Sequence, residues 1–158
     1  YYLDIAETVL ERSTCSRSHS GALIVRNDEI VSTGYNGAPR GRSNCIDLGY
    51  CIRERLGIPA GERYELCRSV HAEMNAIISA ARSECIGGTI YLAGRDVATG
   101  ELIPDLLPCP MCRRMIINAG LSKIVIRRTP STYDILNVQD WVFHDDSVID
   151  PSESGEQA

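Results

Sequence analysis

Two short segments of the sequence contain residue types that bind zinc in proteins. They are His71-Ala72-Glu73 and Pro108-Cys109-Pro110-Met111-Cys112. A catalytic zinc takes three protein ligands, commonly His and Cys, and leaves its fourth position for water. The two cysteines are three residues apart, which directs both sulfurs to the same side of a first helical turn. The spacing predicts a zinc site formed by His71, Cys109 and Cys112.

Glu73 is the candidate for proton transfer at this site. It lies too close in sequence to His71 to be a convenient fourth ligand, but it can take a proton from a water whose pKa zinc lowers to about 7. We therefore predict that Glu73 is the general acid/base. Both cysteines are expected at a helix N-terminus, where the positive end of the helix dipole lowers the thiol pKa and favours the thiolate.

Each segment alone has a less specific interpretation. Redox motifs and structural zinc sites also contain Cys-x-x-Cys, and a single His at a helix start is usually just a polar residue there. The combination is more informative, because H-x-E followed by P-C-x-x-C is the signature of zinc-dependent nucleobase deaminases. Both segments also lie at predicted helix starts, each after a long irregular stretch.

Composition excludes several classes of protein. A chain of 158 residues with 44% hydrophobic residues is most simply one globular domain, and it has no apolar run long enough for a membrane span. The net charge is −5, but six of the 21 acidic residues lie in residues 140–158, which have no Lys or Arg. Residues 1–139 therefore carry a net charge of +1, which gives no basic surface for long nucleic acid.

The same numbers suggest a domain organisation and a location. We expect a catalytic domain over residues 1–144 and an acidic, disordered tail over residues 145–158. Nothing at the N-terminus resembles a signal peptide, so the expected location is the cytoplasm. Seven unevenly spaced cysteines then indicate reduced thiols or metal ligands before a disulfide framework.

Hydrophobic periodicity predicts strands alternating with helices. The predicted elements are a helix over 1–12, a hairpin of strands 21–26 and 29–35, a long loop over 36–70 with at most one short helix around 46–56, a helix over 71–82, a strand over 89–93, an irregular excursion over 94–107, a helix over 109–119 and a strand over 123–128. After Pro130 the pattern weakens. This order predicts an α/β fold, a three-layer α/β/α sandwich with a mixed, roughly five-stranded sheet.

Further segments of the sequence resemble one enzyme family. They are Cys15-Ser16-Arg17, Gly21-Ala22, Gly34-Tyr35-Asn36-Gly37-Ala38-Pro39-Arg40-Gly41, His71 to Ile77, Pro108 to Cys112, and Ile117-Asn118-Ala119-Gly120. Together with the zinc motif they are similar to the deoxycytidylate (dCMP) deaminases of the cytidine/deoxycytidylate deaminase superfamily. The resemblance covers residues 1 to about 128, and the Gly-Tyr-Asn-Gly-x-Pro segment separates the dCMP branch from cytidine deaminases and tRNA adenosine deaminases.

This resemblance implies a fold, a reaction and an assembly. It implies a cytidine deaminase-like fold and hydrolytic deamination of dCMP to dUMP and ammonia at one catalytic zinc. By the same resemblance, Asn36 hydrogen-bonds the sugar and the backbone amide of Ala72 helps to hold the base. The Asn-Gly pair at Asn36 is equally a good turn without any ligand. The resemblance also implies a homo-oligomer, with a hexamer as the candidate assembly, and dCTP and dTTP as candidate effectors near the Gly-Tyr-Asn-Gly loop.

A nucleotide substrate needs cations for its phosphate. Arg17, Arg40, Arg42 and Arg68 lie in the predicted pocket loops, and the planar guanidinium suits phosphate. Most of these charges are expected to be solvated, with Arg17 and Arg40 as the leading candidates. The chain departs from the family pattern at Gly94 to Leu107, where a typical dCMP deaminase has only a few residues. We expect that excursion beside the pocket.

The remaining cysteines divide into two groups. Cys85 follows a helix among small residues and is expected to pack as a buried thiol. Some dCMP deaminases that this chain resembles have Cys or His at several loop positions where a second, structural zinc binds. Cys15, Cys45, Cys51 and Cys67 are the candidate ligands here. Their spacings contain no second Cys-x-x-Cys pair, which leaves that second zinc open.

Two other functions stay open at this stage. One is deamination of another nucleotide, a nucleoside or tRNA adenosine, against which the nearly neutral body of the chain argues, because RNA contacts depend on phosphate electrostatics. The other is a non-catalytic zinc or thiol redox protein, which requires Glu73 to be incidental. A panel of substrates assayed for ammonia would discriminate among them.

Overall fold

The computed structural model describes residues 1–59 and 61–144, so the predicted acidic tail over 145–158 lies outside the described residues. Seven helices and five strands follow one another within them: α1 (Tyr2–Leu10), β1 (Ser18–Arg26), β2 (Glu29–Tyr35), α2 (Cys45–Leu48), α3 (Ile52–Arg55), α4 (Ala72–Ile78), α5 (Arg82–Cys85), β3 (Thr89–Asp96), α6 (Pro110–Ala119), β4 (Lys123–Thr129), β5 (Thr132–Asn137) and α7 (Val138–Phe143). In this part of the chain no helix has both the length and the apolar character that crossing a bilayer requires.

The strands form a mixed five-stranded sheet, as predicted. Its order is β2-β1-β3-β4-β5, in which only β3 and β4 run parallel. The predicted hairpin is present, and its turn residues Asn27 and Asp28 have φ angles of 52° and 63°. Asn and Asp tolerate this left-handed conformation better than other non-glycine residues, which explains the tight connection between β1 and β2.

Helices cover both faces of the sheet and complete the predicted three-layer sandwich. On one face, Ala6 and Leu10 of α1 pack against Leu23 and Val25 of β1. On the other face, α4 and α6 bury Ala76 and Ile116 against the side chains of β1, β3 and β4. Strand β1 contributes to both layers because successive residues of a strand face opposite sides of the sheet.

A close approach between α4 and β2 determines where the first zinc-binding segment lies. A Cβ atom on Gly34 would lie 2.3 Å from both the carbonyl oxygen of Ala72 and the backbone nitrogen of Ala76, so this position requires glycine. Two hydrogen bonds hold the contact. Ser32 Oγ donates to the Ala76 carbonyl at 2.7 Å, and Asn75 Nδ2 donates to the Tyr35 carbonyl at 2.7 Å.

Three parts of the chain differ from the sequence-based prediction. The helix predicted over 71–82 is divided, because α4 ends at Ile78 and the Glu84 carboxylate accepts a hydrogen bond from the Ala81 backbone nitrogen at the start of α5. The region after Pro130 forms β5 and α7. Its weak pattern has a physical cause, since β5 is an edge strand with largely exposed side chains and depends on its backbone pairing with β4.

The long loop over 36–70 has more structure than predicted. It contains α2, α3 and a single 3₁₀ turn over Tyr64–Leu66 instead of at most one short helix. An isolated antiparallel bridge between Gly37 and Val70 joins its two ends, with backbone nitrogen to oxygen distances of 3.1 and 2.8 Å. This bridge brings Asn36 and His71 to the same place although they are 35 residues apart in sequence.

Candidate active site

The predicted zinc ligands meet at the N-termini of two neighbouring helices. His71 is the N-cap of α4 and Cys109 is the N-cap of α6, with Cys112 in the first turn of α6. His71 Nδ1 lies 3.4 Å from the sulfur of each cysteine. Pro110 at the first helical position and a 3.5 Å hydrogen bond from the Cys112 backbone nitrogen to Cys109 Sγ fix the first turn of α6.

The geometry and chemistry of these three residues fit a zinc ion. Their ligand atoms all lie within 4.8 Å of one another, and both cysteines are buried. A tetrahedral zinc with ordinary bond lengths would place an imidazole nitrogen and a thiolate sulfur about 3.6 Å apart, close to the observed 3.4 Å. One imidazole and two thiols are also the donor set of known catalytic zinc sites.

Electrostatics inside the trio favour the thiolate of Cys109, while Cys112 and His71 each hold a proton that a metal ion would displace. The hydrogen bond from Cys112 lowers the pKa of Cys109 to about 4, against the opposing effect of burial. The same contact raises the pKa of Cys112, so the pair holds one proton between its two sulfurs. Burial would lower the pKa of His71, but hydrogen bonds with Cys109 and Cys67 outweigh it and raise that pKa to about 10.

Glu73 lies against this trio in the interior of the protein. Only 6% of its surface is exposed, and its carboxylate hydrogen-bonds the Cys112 side chain. Burial raises the pKa of the Glu73 carboxyl, while the neighbouring His71 opposes that shift. A buried carboxyl group beside three ligand atoms is placed to exchange protons with a molecule bound next to them.

A cavity of about 520 Å³ opens onto His71 and Cys109 of the trio. It is lined by residues from five parts of the chain: the segment after α1 with β1, the end of β2, the loop that contains α3, the start of α4, and the stretch from β3 to the start of α6. His71, Ala72, Glu73 and Cys109 form one wall of it. A volume of this size is in the range of small-molecule sites.

Ala72 and Asn36, both predicted substrate contacts, line this cavity. Ala72 is the first helical residue of α4, so its backbone N–H has no acceptor within that helix. Asn36 is buried, and its Oδ1 accepts hydrogen bonds from Ser13 Oγ at 2.6 Å and the Ser20 nitrogen at 2.8 Å. Its Nδ2 donates one hydrogen to the Ser18 carbonyl, which leaves a second hydrogen for a ligand.

The two predicted phosphate contacts have different positions. Arg17 lines the cavity, where its Nε lies 2.9 Å from Glu54 Oε1. Arg40 is exposed on the loop after β2 and is not part of the cavity wall. The structure therefore brings Arg17 to the site and does not bring Arg40 there.

Arg53 is a cavity residue that the sequence analysis missed. Only 5% of its surface is exposed, and its Nη2 donates to the carbonyl oxygens of Pro59 and Glu62. Its guanidinium carbon lies 4.4 Å from the ring centroid of Tyr64, another cavity residue. No motif indicates Arg53, because it lies on the four-residue helix α3 within the long loop, and only the folded loop turns it inward.

The four candidate ligands of a second zinc are not brought together as a ligand set. In residues 1–59 and 61–144 only His71, Cys109 and Cys112 bring three ligand atoms together. The four cysteines do share one neighbourhood, because burial first and then the charges of Cys15, Cys67 and Cys51 raise the pKa of Cys45. The Cys67 side chain hydrogen-bonds His71. The described residues thus give no support for the second zinc that the sequence leaves open.

All seven cysteines are free thiols in the structure. Cys85 is 1% exposed at the end of α5 and packs in the core, and burial raises its pKa.

The predicted excursion over residues 94–107 forms part of the cavity wall. It begins as a continuation of β3 to Asp96, whose Oδ1 accepts hydrogen bonds from the Ala98 and Thr99 nitrogens at 2.9 Å. Its second half lines the cavity with Ile103 and three residues that follow it, Asp105, Leu106 and Leu107. The expectation that it lies beside the pocket is confirmed.

Comparisons of the sequence with a family model and with known proteins agree on one family. Residues 1–128 match the model of the cytidine and deoxycytidylate deaminase zinc-binding region. A deoxycytidylate deaminase of Mycobacterium phage D29 is 35% identical over 130 residues, covering 79% of this chain and 90% of that protein. A deoxycytidylate deaminase of Schizosaccharomyces pombe is 32% identical over 125 residues, but this chain spans only 35% of its length.

A solved structure agrees with the fold. The dCMP deaminase from the cyanophage S-TIM5, in complex with dCMP and dUMP, matches with a TM-score of 0.53 and 26% sequence identity over 80% of this chain and 77% of that one. The family match therefore agrees with what the His-Cys-Cys trio and the buried glutamate indicate. The chain belongs to the cytidine and deoxycytidylate deaminase family.

Proposed function

We propose that this protein is a zinc-dependent hydrolytic deaminase of cytosine nucleotides, which converts dCMP and water to dUMP and ammonia. The observation that carries the proposal is the position of Glu73, buried beside His71, Cys109 and Cys112 where they open into the cavity. A ligand set alone would serve a structural metal equally well. A buried carboxyl group at an open face of that set is the additional part that hydrolysis needs.

His71, Cys109 and Cys112 are the residues that would hold the zinc. When bound there, zinc supplies a Lewis acid that makes a water nucleophilic near neutral pH. The chain's own contribution to proton transfer is Glu73. It takes one proton from the water that attacks the amine-bearing ring carbon and gives it to the ring nitrogen. It then takes the second proton from the hydroxyl group now on that carbon and gives it to the amine, which leaves as ammonia as the carbonyl forms.

Two groups are suited to orient the substrate in the cavity. The N–H of Ala72 points from the start of α4 without an intrahelical acceptor, and it would hold an acceptor atom of the base. The second amide hydrogen of Asn36 would bind a sugar hydroxyl. Because Ser13, Ser18 and Ser20 already hold the Asn36 side chain, it would meet the sugar with little loss of side-chain entropy.

The similar proteins support a nucleotide as the substrate. The phage D29 and fission yeast relatives are deoxycytidylate deaminases, and the cyanophage structure contains dCMP and dUMP. We extend that substrate to this chain, with Arg17 as a candidate phosphate contact because it reaches the cavity. Arg40 is the weaker candidate, since it lies on the exposed loop.

We also propose a homo-oligomer in the cytoplasm, as the resemblance implies, with dCTP and dTTP as candidate effectors. An apolar groove between α4 and α6 is the candidate contact surface for a second copy. Its lining includes Met74, Ile77, Met111 and Met115, of which the first three are partly buried against the core. Light scattering on purified protein tests the assembly: a monomer at micromolar concentration would contradict it.

One experiment tests the function directly. Purified zinc-loaded protein is given cytidine, deoxycytidine, CMP, dCMP, dCTP and tRNA in parallel, and released ammonia is measured. We expect dCMP to give the highest kcat/KM. If only tRNA adenosine is turned over, the protein is an RNA deaminase. If the protein keeps its zinc but releases no ammonia from any substrate, it is a non-catalytic zinc protein.

A further inference from the structure

Arg53 has an unusual environment for a charged side chain. It is 5% exposed, and within residues 1–59 and 61–144 no carboxylate lies within ion-pair distance of it. Glu65 is close enough for Arg53 to help lower its pKa, but the Glu65 carboxylate is bound by Arg63 at 2.5 Å. A buried cation normally has a counter-charge, because its desolvation is otherwise uncompensated.

Part of the guanidinium is also without a hydrogen-bond partner. Nη2 is occupied by the carbonyls of Pro59 and Glu62, whereas the buried Nε has no acceptor among the described residues. Ser69 Oγ, on the wall of the same cavity, is likewise buried without a partner. Orphaned buried donors are rare in folded proteins, and these two belong to residues of the same cavity wall, where one bound anion could accept from both.

The distance of Arg53 from the catalytic groups suits one particular ligand. Its guanidinium carbon is 4.4 Å from the Tyr64 ring centroid, and that centroid is 5.2 Å from the centroid of His71. The guanidinium carbon therefore lies within about 10 Å of the His71 ring, a distance that one nucleoside can span. An anionic acceptor with several oxygens within that reach is a phosphomonoester.

We propose that Arg53, with Ser69 Oγ, binds the 5′-phosphate of the substrate and so sets the preference for a nucleotide over a nucleoside. The other cavity arginine is less suited, since Arg17 is already paired with Glu54. This inference rests on the proposed deamination, and it names the residue that selects the substrate class. Stacking on Tyr64 and the two carbonyl contacts hold the guanidinium in place before the ligand arrives.

The test compares two substrates that differ only in the phosphate. The kcat/KM for dCMP and for deoxycytidine is measured in the wild type, in Arg53→Gln and in Arg53→Lys. We expect Arg53→Gln to lose about 100-fold with dCMP and to change little with deoxycytidine, because a hydrogen bond to a charged group is removed only for the nucleotide. Arg53→Lys should keep part of the preference. Arg55→Gln is the matched control on the same short helix, with its guanidinium over Tyr50 and outside the cavity wall.

Two results would overturn the proposal. An equal loss with both substrates would make Arg53 a structural clamp of its loop, and an unchanged preference for dCMP would assign the phosphate to another residue. Circular dichroism and thermal unfolding of each variant establish that it is folded before the comparison is made. Inorganic phosphate adds an independent measurement: it should inhibit dCMP turnover competitively in the wild type, because it occupies the phosphate subsite, and it should inhibit deoxycytidine turnover much less.

A binding measurement separates this proposal from the proposed function. If the wild type deaminates no cytosine compound, the function fails, but dUMP and deoxyuridine can still be titrated calorimetrically. Tighter binding of dUMP that is lost in Arg53→Gln would support the phosphate site alone. Equal binding of both compounds by the wild type would refute it.

Discussion

The ring of Tyr64 meets the imidazole of the zinc ligand His71 edge to face, with centroids 5.2 Å apart and ring planes at 86°. Arg53 covers the Tyr64 ring at 4.4 Å. The long loop thus reaches the metal site through an aromatic contact, while the Cys67 side chain hydrogen-bonds the same imidazole. Such outer contacts orient a metal ligand and tune its affinity.

Removing the Tyr64 ring should therefore loosen the metal. We expect Tyr64→Ala to release zinc to a chelator about 10- to 100-fold faster than the wild type, because His71 loses the contact that orients it. Tyr64→Phe keeps the ring edge and should stay close to the wild type. Release is followed with a colorimetric zinc indicator. Similar rates for the Ala and Phe variants and the wild type would show that Tyr64 does not position His71.

Replacing the Glu73 carboxylate should separate the proposed proton transfer from metal binding. We expect Glu73→Gln to lower kcat by at least about 100-fold, since Gln cannot accept a proton, while one zinc stays bound. Ammonia release and elemental analysis of the same sample measure the two quantities. Glu65→Gln, at an exposed position outside the cavity wall, is the control. Full activity of Glu73→Gln would refute its role as general acid/base.

Metal content should identify one site. We expect one zinc per chain, because only His71, Cys109 and Cys112 bring their ligand atoms together in the described part of the chain. Cys109→Ser should lose this zinc and all turnover, whereas Cys45→Ser should retain both. Two zinc ions per wild-type chain, with one lost in Cys45→Ser, would restore the four-cysteine site that the geometry does not support.

The contact at Gly34 should be sensitive to a single methyl group. Gly34→Ala places a Cβ 2.3 Å from backbone atoms of α4, so we expect a loss of about 1–3 kcal/mol in the free energy of unfolding and a lower kcat as His71 and Glu73 shift. Gly57→Ala is the control. It is strained at φ 66° but has open space around it, so it should cost about 1–2 kcal/mol without changing kcat. Denaturant unfolding and steady-state kinetics give both quantities, and an unchanged kcat in Gly34→Ala would contradict the prediction.

Arg128 should hold the excursion over 94–107 against the cavity. Its Nη1 donates to the carbonyls of Pro104 and Leu106 at 2.8 and 2.7 Å, and its Nε pairs with Asp134. Without these bonds the cavity wall would lose its support, so we expect Arg128→Gln to raise the KM for dCMP about tenfold with a smaller change in kcat. Asp134→Asn leaves both carbonyl contacts in place and should behave as the wild type. If Arg128→Gln and Asp134→Asn raise the KM equally, the change comes from the ion pair with Asp134 on β5 and not from the two carbonyl contacts.

The chemistry of the metal site could be predicted from the sequence. His71, Glu73, Cys109 and Cys112 lie at the first residues of two helices, and the spacing of ligands within one helical turn is a local property. The strands with strong β-branched runs were predictable for the same reason. The edge strand β5 was not, because its exposed side chains carry no apolar pattern and its pairing partner β4 supplies the hydrogen bonds.

Only the tertiary structure decided which residues of the long loop reach the site. In sequence, Arg17, Arg40 and Arg53 are equivalent arginines in irregular segments, and Cys15, Cys45, Cys51 and Cys67 are equivalent thiols. Folding buries Arg53 in the cavity wall, leaves Arg40 exposed and turns Cys67 to His71. Loop side chains follow no periodicity, so their directions depend on long-range contacts such as the Gly37–Val70 bridge and the stacking of Arg53 on Tyr64. The sequence by itself determined the reaction chemistry, whereas the folded loop determined the shape and charge of the cavity, because those contacts form only once the sheet has brought distant segments together.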